Sequence, residues 1–420
     1  MEFKSVLAEQ REELKEIERE EKIIRRDRLS FAEDALSEPN ILAVIGVRRC
    51  GKSIFSYLAA KQDSFGYINF DDERLRGVDA DDLNRLLQAC YSLFGDVDYV
   101  VLDEPQHVEG WEMFANRLRR TKRVIVTGSS ADLLSGELAS RLTGRYILLE
   151  MYPFSFQEYL EFKGIETEVR TTKNRAEILD HLTEYMEEGG FPEVQKFGRR
   201  ILNHIYKDII TKDVVVRHGI RKKDELSNLA HYLVTNISSE ISYSKLKEIL
   251  EVNQVSTVSN WVSYLEDAFL IRELKRFSYK LKEQIKSPRK VYAVDPGLAR
   301  TAGFTFMENR GPVMENVVYV ELLRRHSTEE AEVYYWKDHQ GREVDFVINY
   351  NKGVDQLLQV TYADSREDVR DREIDNLLRA SEELDCNKLL IITWDCDDRL
   401  EREGKEIVLE PIWKWLLTER

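Results

Sequence analysis

Short apolar runs alternate with longer amphipathic stretches between residues 41 and 150. Ile41–Val47, Tyr67–Phe70, Tyr99–Leu102, Arg123–Thr127 and Tyr146–Leu149 read as strands, and the stretches between them carry apolar residues at helical spacing. This alternation predicts a parallel sheet covered by helices on both faces. Ligands of such sheets gather at the carboxyl ends of the strands. Ahead of it, Met1–Asp34 places Glu, Lys and Arg at helical spacings, with Ile17, Ile23, Ile24, Leu29 and Phe31 emerging late, which predicts a charged helix leading into the core.

From Tyr152 to about Asn236 the helical period takes over, with Phe156–Phe162, Ala176–Glu188 and Ile201–Val216 as segments and a break at Gly189-Gly190-Phe191-Pro192. Then come Ser244–Glu251, a turn at Val252-Asn253, Gln254–Ala268, and the strands Leu270–Phe277 and Lys290–Val294 flanking a lysine-rich tip. Helix, turn, helix, ribbon is the order of a winged helix-turn-helix. Gly311–Arg420 mixes the helices Val313–Arg325 and Arg370–Leu384 with strands at Glu332–Trp336, Val344–Ile348, Leu357–Val360 and Leu389–Thr393, as an α/β domain does. The expected organisation is a sheet core over 1–150, a helical lid over 151–236, a winged helix over 237–300 and an α/β domain over 301–420.

At 420 residues, with 33% charged and 42% apolar positions, the chain has the composition of a soluble protein of two or three domains. No apolar stretch approaches the ~18 residues of a membrane span and no signal-peptide core is apparent, so a cytoplasmic location without membrane contact is expected. Cys50, Cys90, Cys386 and Cys396 show no metal-binding or disulfide spacing. A net charge of −15 argues against a chain coated by nucleic acid. Two stretches depart from that average: Arg199–Lys223 holds eight basic residues against Asp208 and Asp213, and Lys275–Lys290 holds seven against Glu283. Each can face phosphate or simply be a solvated surface. Residues 301–420 carry 27 acidic against 16 basic residues, so that exterior is acidic.

The chemistry concentrates at Gly46-Val47-Arg48-Arg49-Cys50-Gly51-Lys52-Ser53, a G-x-x-x-x-G-K-[ST] loop directly after an apolar strand and before the helical Ile54–Lys61. Such a loop curls backbone N–H groups around phosphates at the positive end of a helix. Gly46, Arg48, Arg49, Cys50, Gly51, Lys52, Ser53 and Ile54 are therefore candidate triphosphate contacts, with Lys52 reaching the β/γ oxygens and Ser53 a magnesium ion. Cys50, inside the loop, is a candidate for alkylation that bound nucleotide would block. Val100-Val101-Leu102 delivers Asp103 to a strand end as a second magnesium ligand, and Glu104 beside it is a candidate to polarise the attacking water. Thr127-Gly128-Ser129-Ser130 offers hydroxyls after the next strand, with Ser129 either a γ-phosphate sensor or a helix cap. Arg141 and Arg145 are candidates to act on a neighbouring subunit's nucleotide, which would require a homo-oligomer.

The phosphate loop, Tyr67-Ile68-Asn69-Phe70-Asp71-Asp72, Leu102-Asp103-Glu104-Pro105-Gln106, Thr127-Gly128-Ser129-Ser130, Leu142-Thr143-Gly144-Arg145, Pro153-Phe154-Ser155-Phe156, Gly189-Gly190-Phe191-Pro192-Glu193 and Gly341-Arg342-Glu343-Val344-Asp345-Phe346 together resemble the prokaryotic AAA+ ATPases found widely in archaea, in which the ATPase core precedes a C-terminal domain of unknown function. The resemblance runs over nearly the whole chain. It implies a P-loop AAA+ core, ATP as nucleotide and magnesium as cofactor, and little about substrate.

Were the winged helix to read DNA, Gln254–Ala268 would enter the major groove, yet it offers Gln254, Ser256, Thr257, Ser259 and Asn260 and no Lys or Arg. The basic tip would grip backbone phosphates with little sequence choice, and docking onto protein is the alternative. In the last domain Glu315, Asp345 and Gln359-Val360-Thr361 resemble the skeleton of restriction-endonuclease-like nucleases, which expects Glu-x-Lys at the final positions. Gln359 lacks the charge to hold magnesium and Thr361 cannot replace the lysine, so nuclease activity is not expected unless Lys337 takes that role.

Overall fold

The computed structural model describes residues 3–61, 64–131, 144–302, 310–326, 331–350 and 353–418. Arg141, Leu142 and Thr143 lie outside the described residues. The chain divides into two compact units, one of Met1–Pro153 with Asp267–Phe269, the other of Phe154–Glu266 with Leu270–Arg420.

The first unit is built on five parallel strands: β1 (Ile41–Gly46), β2 (Phe65–Asn69), β3 (Tyr99–Asp103), β4 (Arg123–Gly128) and β5 (Tyr146–Met151), in the order β2-β3-β4-β1-β5. Every residue of β1 is buried, which is why it reads as an unbroken apolar run rather than an alternating one. β4 lies between the phosphate-loop strand and the acidic strand β3. Parallel pairing then puts Gly46, Asn69, Asp103, Gly128 and Met151 at one edge, where the loops carrying the chemistry begin.

The charged N-terminal segment is not one helix. A helix over Phe3–Glu20 buries Val6, Leu7, Gln10 and Leu14 and packs on the helix Asp82–Phe94 and on edge strand β2, and a second spans Leu29–Ala35. Gln10 is 2% exposed, and its amide exchanges hydrogen bonds with both backbone groups of Asn69 (3.0 and 3.1 Å) while donating to Asp72 (2.9 Å). The helix thus holds the end of an otherwise open sheet edge.

The second unit begins with the helices Phe156–Lys163 and Thr172–Glu188, the first started by a reciprocal Ser155/Glu158 cap. The helix expected over Ile201–Val216 is α-helical only to Asp208 and continues as a π-helix over Ile209–Val216. Its buried pairs Ile209/Ile210 and Val214/Val215 recur at five residues, a spacing that the wider helix keeps on one face. The glycine break is a packing device: a Cβ on Gly189 would lie 1.9 Å from the Asp295 carboxylate, which accepts from the N–H groups of Gly190 (2.7 Å) and Gly297 (2.9 Å).

The helices Tyr243–Ile249 and Val255–Asp267 lie in the chain between the first and second strands of a three-stranded antiparallel sheet, β6 (Ser239–Ile241), β7 (Ile271–Leu274) and β8 (Arg289–Ala293), with β8 in the middle. The lysine-rich tip is itself a short helix, Leu281–Lys286, with no buried residue. A six-stranded mixed sheet completes the unit: β9 (Ala331–Lys337), β10 (Glu343–Tyr350), β11 (Gly353–Val360), β12 (Leu389–Thr393), β13 (Asp398–Arg402) and β14 (Lys405–Pro411), ordered β13-β14-β12-β11-β10-β9. The helices Gly311–His326 and Asp371–Leu384 lie against it. Phe277 N donates to Tyr335 O (2.7 Å) and Tyr335 N to Lys275 O (3.0 Å), joining the two sheets.

Candidate functional site

The loop after β1 closes over the sheet edge with backbone torsions of alternating sense: Arg49 at φ 66° and Gly51 at φ 100° are left-handed, and Gly51 opens the helix Lys52–Ala60. That alternation aims successive N–H groups into one concavity. Gly46 (φ 154°) admits no side chain, since its Cβ would lie 2.0 Å from the Met151 carbonyl. Arg26, in the stretch between the two N-terminal helices, donates to the carbonyls of Cys50 (3.0 Å) and Tyr152 (2.7 Å), tying the loop to the end of β5.

Lys52 is 6% exposed and its ammonium donates to the carbonyls of Gly46 (3.0 Å) and Val47 (3.2 Å), 3.8 Å from a Glu104 carboxylate oxygen. Ser53 stands one residue further into the helix, its hydroxyl one of the groups that favour the charged form of Asp103, and Ile54 continues that turn. Arg48 lies 3.9 Å from Asp71, whose carboxyl is held below the ordinary range by His107 above all and by Arg48.

The adjacent carboxylates Asp103 and Glu104 are treated differently. Asp103, 2% exposed, accepts from the hydroxyls of Tyr67 and Thr127. Burial, and then the charge of Glu104, raises its pKa, while those hydroxyls oppose the rise. Glu104 takes a left-handed conformation (φ 52°), its N–H donates to Thr127 Oγ1 (3.1 Å), and its Oε2 accepts from Ser129 N (3.1 Å) and Gln106 Nε2 (2.6 Å). Ser129 is buried and meets Glu104 through its amide.

Lys52, Ser53, Asp103, Glu104 and Ser129 therefore converge. Arg145 does not join them: it is exposed at the start of β5, where its carbonyl accepts from Ile41 N (2.9 Å), a full strand or about 17 Å from the loop edge. Cys50 is fully buried with its thiol toward the Met151 carbonyl (3.5 Å), and burial raises its pKa, so ready alkylation is not what this environment favours. Sequence reasoning missed Arg26 and the Tyr67 hydroxyl, and named Thr127 among the strand-end hydroxyls without its role in binding Asp103 and the Glu104 amide.

The expected basic patches are thinner than their composition. Lys290 is 2% exposed and faces Glu315, Glu343 and Asp345, so it cannot meet external phosphate. Arg289 is paired with Glu273, Lys212 with Asp208 (3.4 Å) and Lys222 with Glu225 (3.3 Å). The nuclease-like positions Asp345 and Gln359 meet at 2.5 Å, while Lys337 sits at the rim, bonded to Glu240 (3.0 Å) and Glu343 (3.1 Å).

Residues 38–160 match the model of an AAA domain, and residues 179–308 and 310–414 match two domains of unknown function, DUF8612 and DUF4143. An uncharacterized protein of Methanocaldococcus jannaschii is 36% identical over 96% of this chain and 93% of its own. One of Haemophilus influenzae is 31% identical over 90% and 94%. Among solved structures, the Walker-type ATPase of Pyrococcus abyssi aligns with 67% of this chain and 96% of its own at 16% identity and a TM-score of 0.46. No helix among the described residues is long and apolar enough to cross a membrane. With 36% and 31% identity over 96% and 90% of its length, the chain belongs to the family of archaeal and bacterial proteins in which an AAA domain precedes C-terminal domains of unknown function.

Proposed function

We propose that the protein binds ATP with magnesium and hydrolyses it, and that turnover is coupled to DNA or to an assembly on DNA. The observation that carries the enzymatic part is the division of labour between two neighbouring carboxylates. Asp103 is buried against the Tyr67 and Thr127 hydroxyls, while Glu104 is turned by its left-handed backbone toward Lys52 and held by Ser129 N. The donors fit the ligands: an ammonium and loop amides for phosphate, and Ser53 with Asp103 as hard oxygens for magnesium. The magnesium nucleotide supplies the polarised phosphoanhydride. Lys52 would leave the Gly46 and Val47 carbonyls for phosphate oxygens, and Glu104 would take the proton of the attacking water. Ser129 would keep Glu104 oriented and sense the γ-phosphate. Arg145 would act only on a neighbouring subunit, at an interface in a homo-oligomer.

The DNA part rests on the tip. Lys280, Lys282 and Lys286 project from and beside a helix that buries nothing; the Lys280 side chain is 77% exposed, with Glu283 at 3.1 Å as its ion-pair partner. Charge so placed serves backbone contacts rather than base reading. The same tip exposes Tyr279, Leu281 and Ile285, which favours a second reading, a nucleotide-gated switch that docks a protein partner. Hydrolysis measured alone, with single-stranded DNA and with duplex at rising salt separates the two. Stimulation that fades steeply with salt supports DNA coupling, and rates indifferent to DNA at low salt refute it.

A further inference from the structure

We propose that Lys290 is the resident cation of a carboxylate centre in the second unit: its ammonium fills the place of a hard divalent ion, so the intact centre takes no metal and admits one when Lys290 is removed. This goes beyond the nucleotide site and does not depend on it.

Lys290 stands on β8, the middle strand of the small sheet, and reaches Glu315 on the helix Gly311–His326 (3.0 Å), and Glu343 (2.7 Å) and Asp345 (3.1 Å) on β10. An ammonium has three donors, and three carboxylates from two elements meet it. Burying it elsewhere would be costly, and here the partners compensate. The carboxylates are fixed independently: Tyr292 OH donates to Glu315 (2.7 Å), Lys337 pairs with Glu343 (3.1 Å), and Gln359 Nε2 (2.5 Å) and Val360 N (3.0 Å) both donate to Asp345.

The oxygen supply exceeds what the ammonium uses. Gln359 is 8% exposed, and its amide oxygen has no hydrogen-bond partner although its nitrogen is bonded to Asp345. A second buried oxygen without a hydrogen-bond partner, Glu373 Oε2, belongs to a side chain that interacts with Thr361 and feels the charge of Asp345. Three carboxylates face one central positive charge, with a second at the rim on Lys337. An all-oxygen, charge-rich cluster is the donor set that magnesium, calcium or manganese prefers. Among the described residues no group of three acidic, His or Cys side chains is arranged to hold a metal.

The test uses the full chain without nucleotide and manganese as probe, followed by paramagnetic resonance of free Mn2+ and by melting. The parent and Asp345→Asn should bind the same amount of Mn2+, because the ammonium excludes the ion in both. Lys290→Ala should bind about one more equivalent, lost again in Lys290→Ala/Asp345→Asn, and saturating Mn2+ should raise its melting temperature by roughly 5 °C. If the alanine variant does not fold, Lys290→Met keeps the buried stem and carries the same comparison. A parent that loses one Mn2+ on Asp345→Asn would overturn the proposal. So would a folded Lys290 variant that gains none.

Discussion

Glu104→Gln isolates the chemical step from binding. Glutamine keeps the shape and one acceptor oxygen, which can retain the bonds from Ser129 N (3.1 Å) and Gln106 Nε2 (2.6 Å). Its NH2 then takes the position 3.8 Å from the Lys52 ammonium, a distance at which the pair is not forced into contact. The loop should therefore persist, and losing a negative charge beside the phosphates should leave ATP affinity equal or slightly tighter. What disappears is the proton acceptor, worth roughly 10²–10⁴ in rate, or about 3–5 kcal/mol of barrier. Glu104→Ala differs by removing that acceptor from the Ser129 amide, with a stability cost of about 1–3 kcal/mol that the glutamine variant avoids. The assay pairs steady-state phosphate release with binding of a fluorescent ATP analogue and a urea melt. A glutamine variant that binds normally and turns over within about 3-fold of the parent would remove Glu104 from the base role.

Lys52→Ala removes an ammonium that the Gly46 and Val47 carbonyls and Glu104 now hold, so nucleotide affinity should fall by roughly 100-fold or more; tight ATP binding by calorimetry would reject the cradle assignment. Burial pushes the Asp295 carboxyl up to about 6 from its ordinary 3.8. Between these values the folded chain keeps a proton that the unfolded chain has lost, so this group's stabilisation is full below about pH 4 and falls by about 3 kcal/mol as pH rises past 6. Urea melts at pH 4 and 7 should show that difference shrink in Asp295→Asn, and an unchanged difference would contradict it. All four cysteines are buried, so Ellman's reagent should find almost no thiol before unfolding, with or without ATP; rapid modification of Cys50 in the folded chain would contradict the burial described.

The parallel core was legible because each signal there is local. A fully apolar run, a glycine turn and a lysine before a helix fix the loop, and Val100–Leu102 can only deliver Asp103 to a strand end. The edge strand β13 was not legible: between Asp397 and Glu406 only Leu400 is apolar, so an exposed edge strand looks like a loop, whereas its neighbour β14 carries the apolar run Ile407-Val408-Leu409. Lys290 shows the deeper limit. A lysine in a basic run reads as surface, and only the placement of β8 between two partners, with Glu315 and β10 approaching it, turns that charge inward. Arg26 escaped for a related reason, since its partners are carbonyls more than twenty residues away and carry no side-chain signature.

That arginine bears on how the protein can be dissected. The segment recognisable as an AAA domain starts at residue 38, downstream of both Arg26 and Gln10. A fragment trimmed to that boundary would keep every residue of the phosphate loop while discarding the guanidinium that fixes the Cys50 and Tyr152 carbonyls and the amide that caps β2. Weak activity in such a fragment would report on missing scaffolding rather than on the catalytic groups themselves.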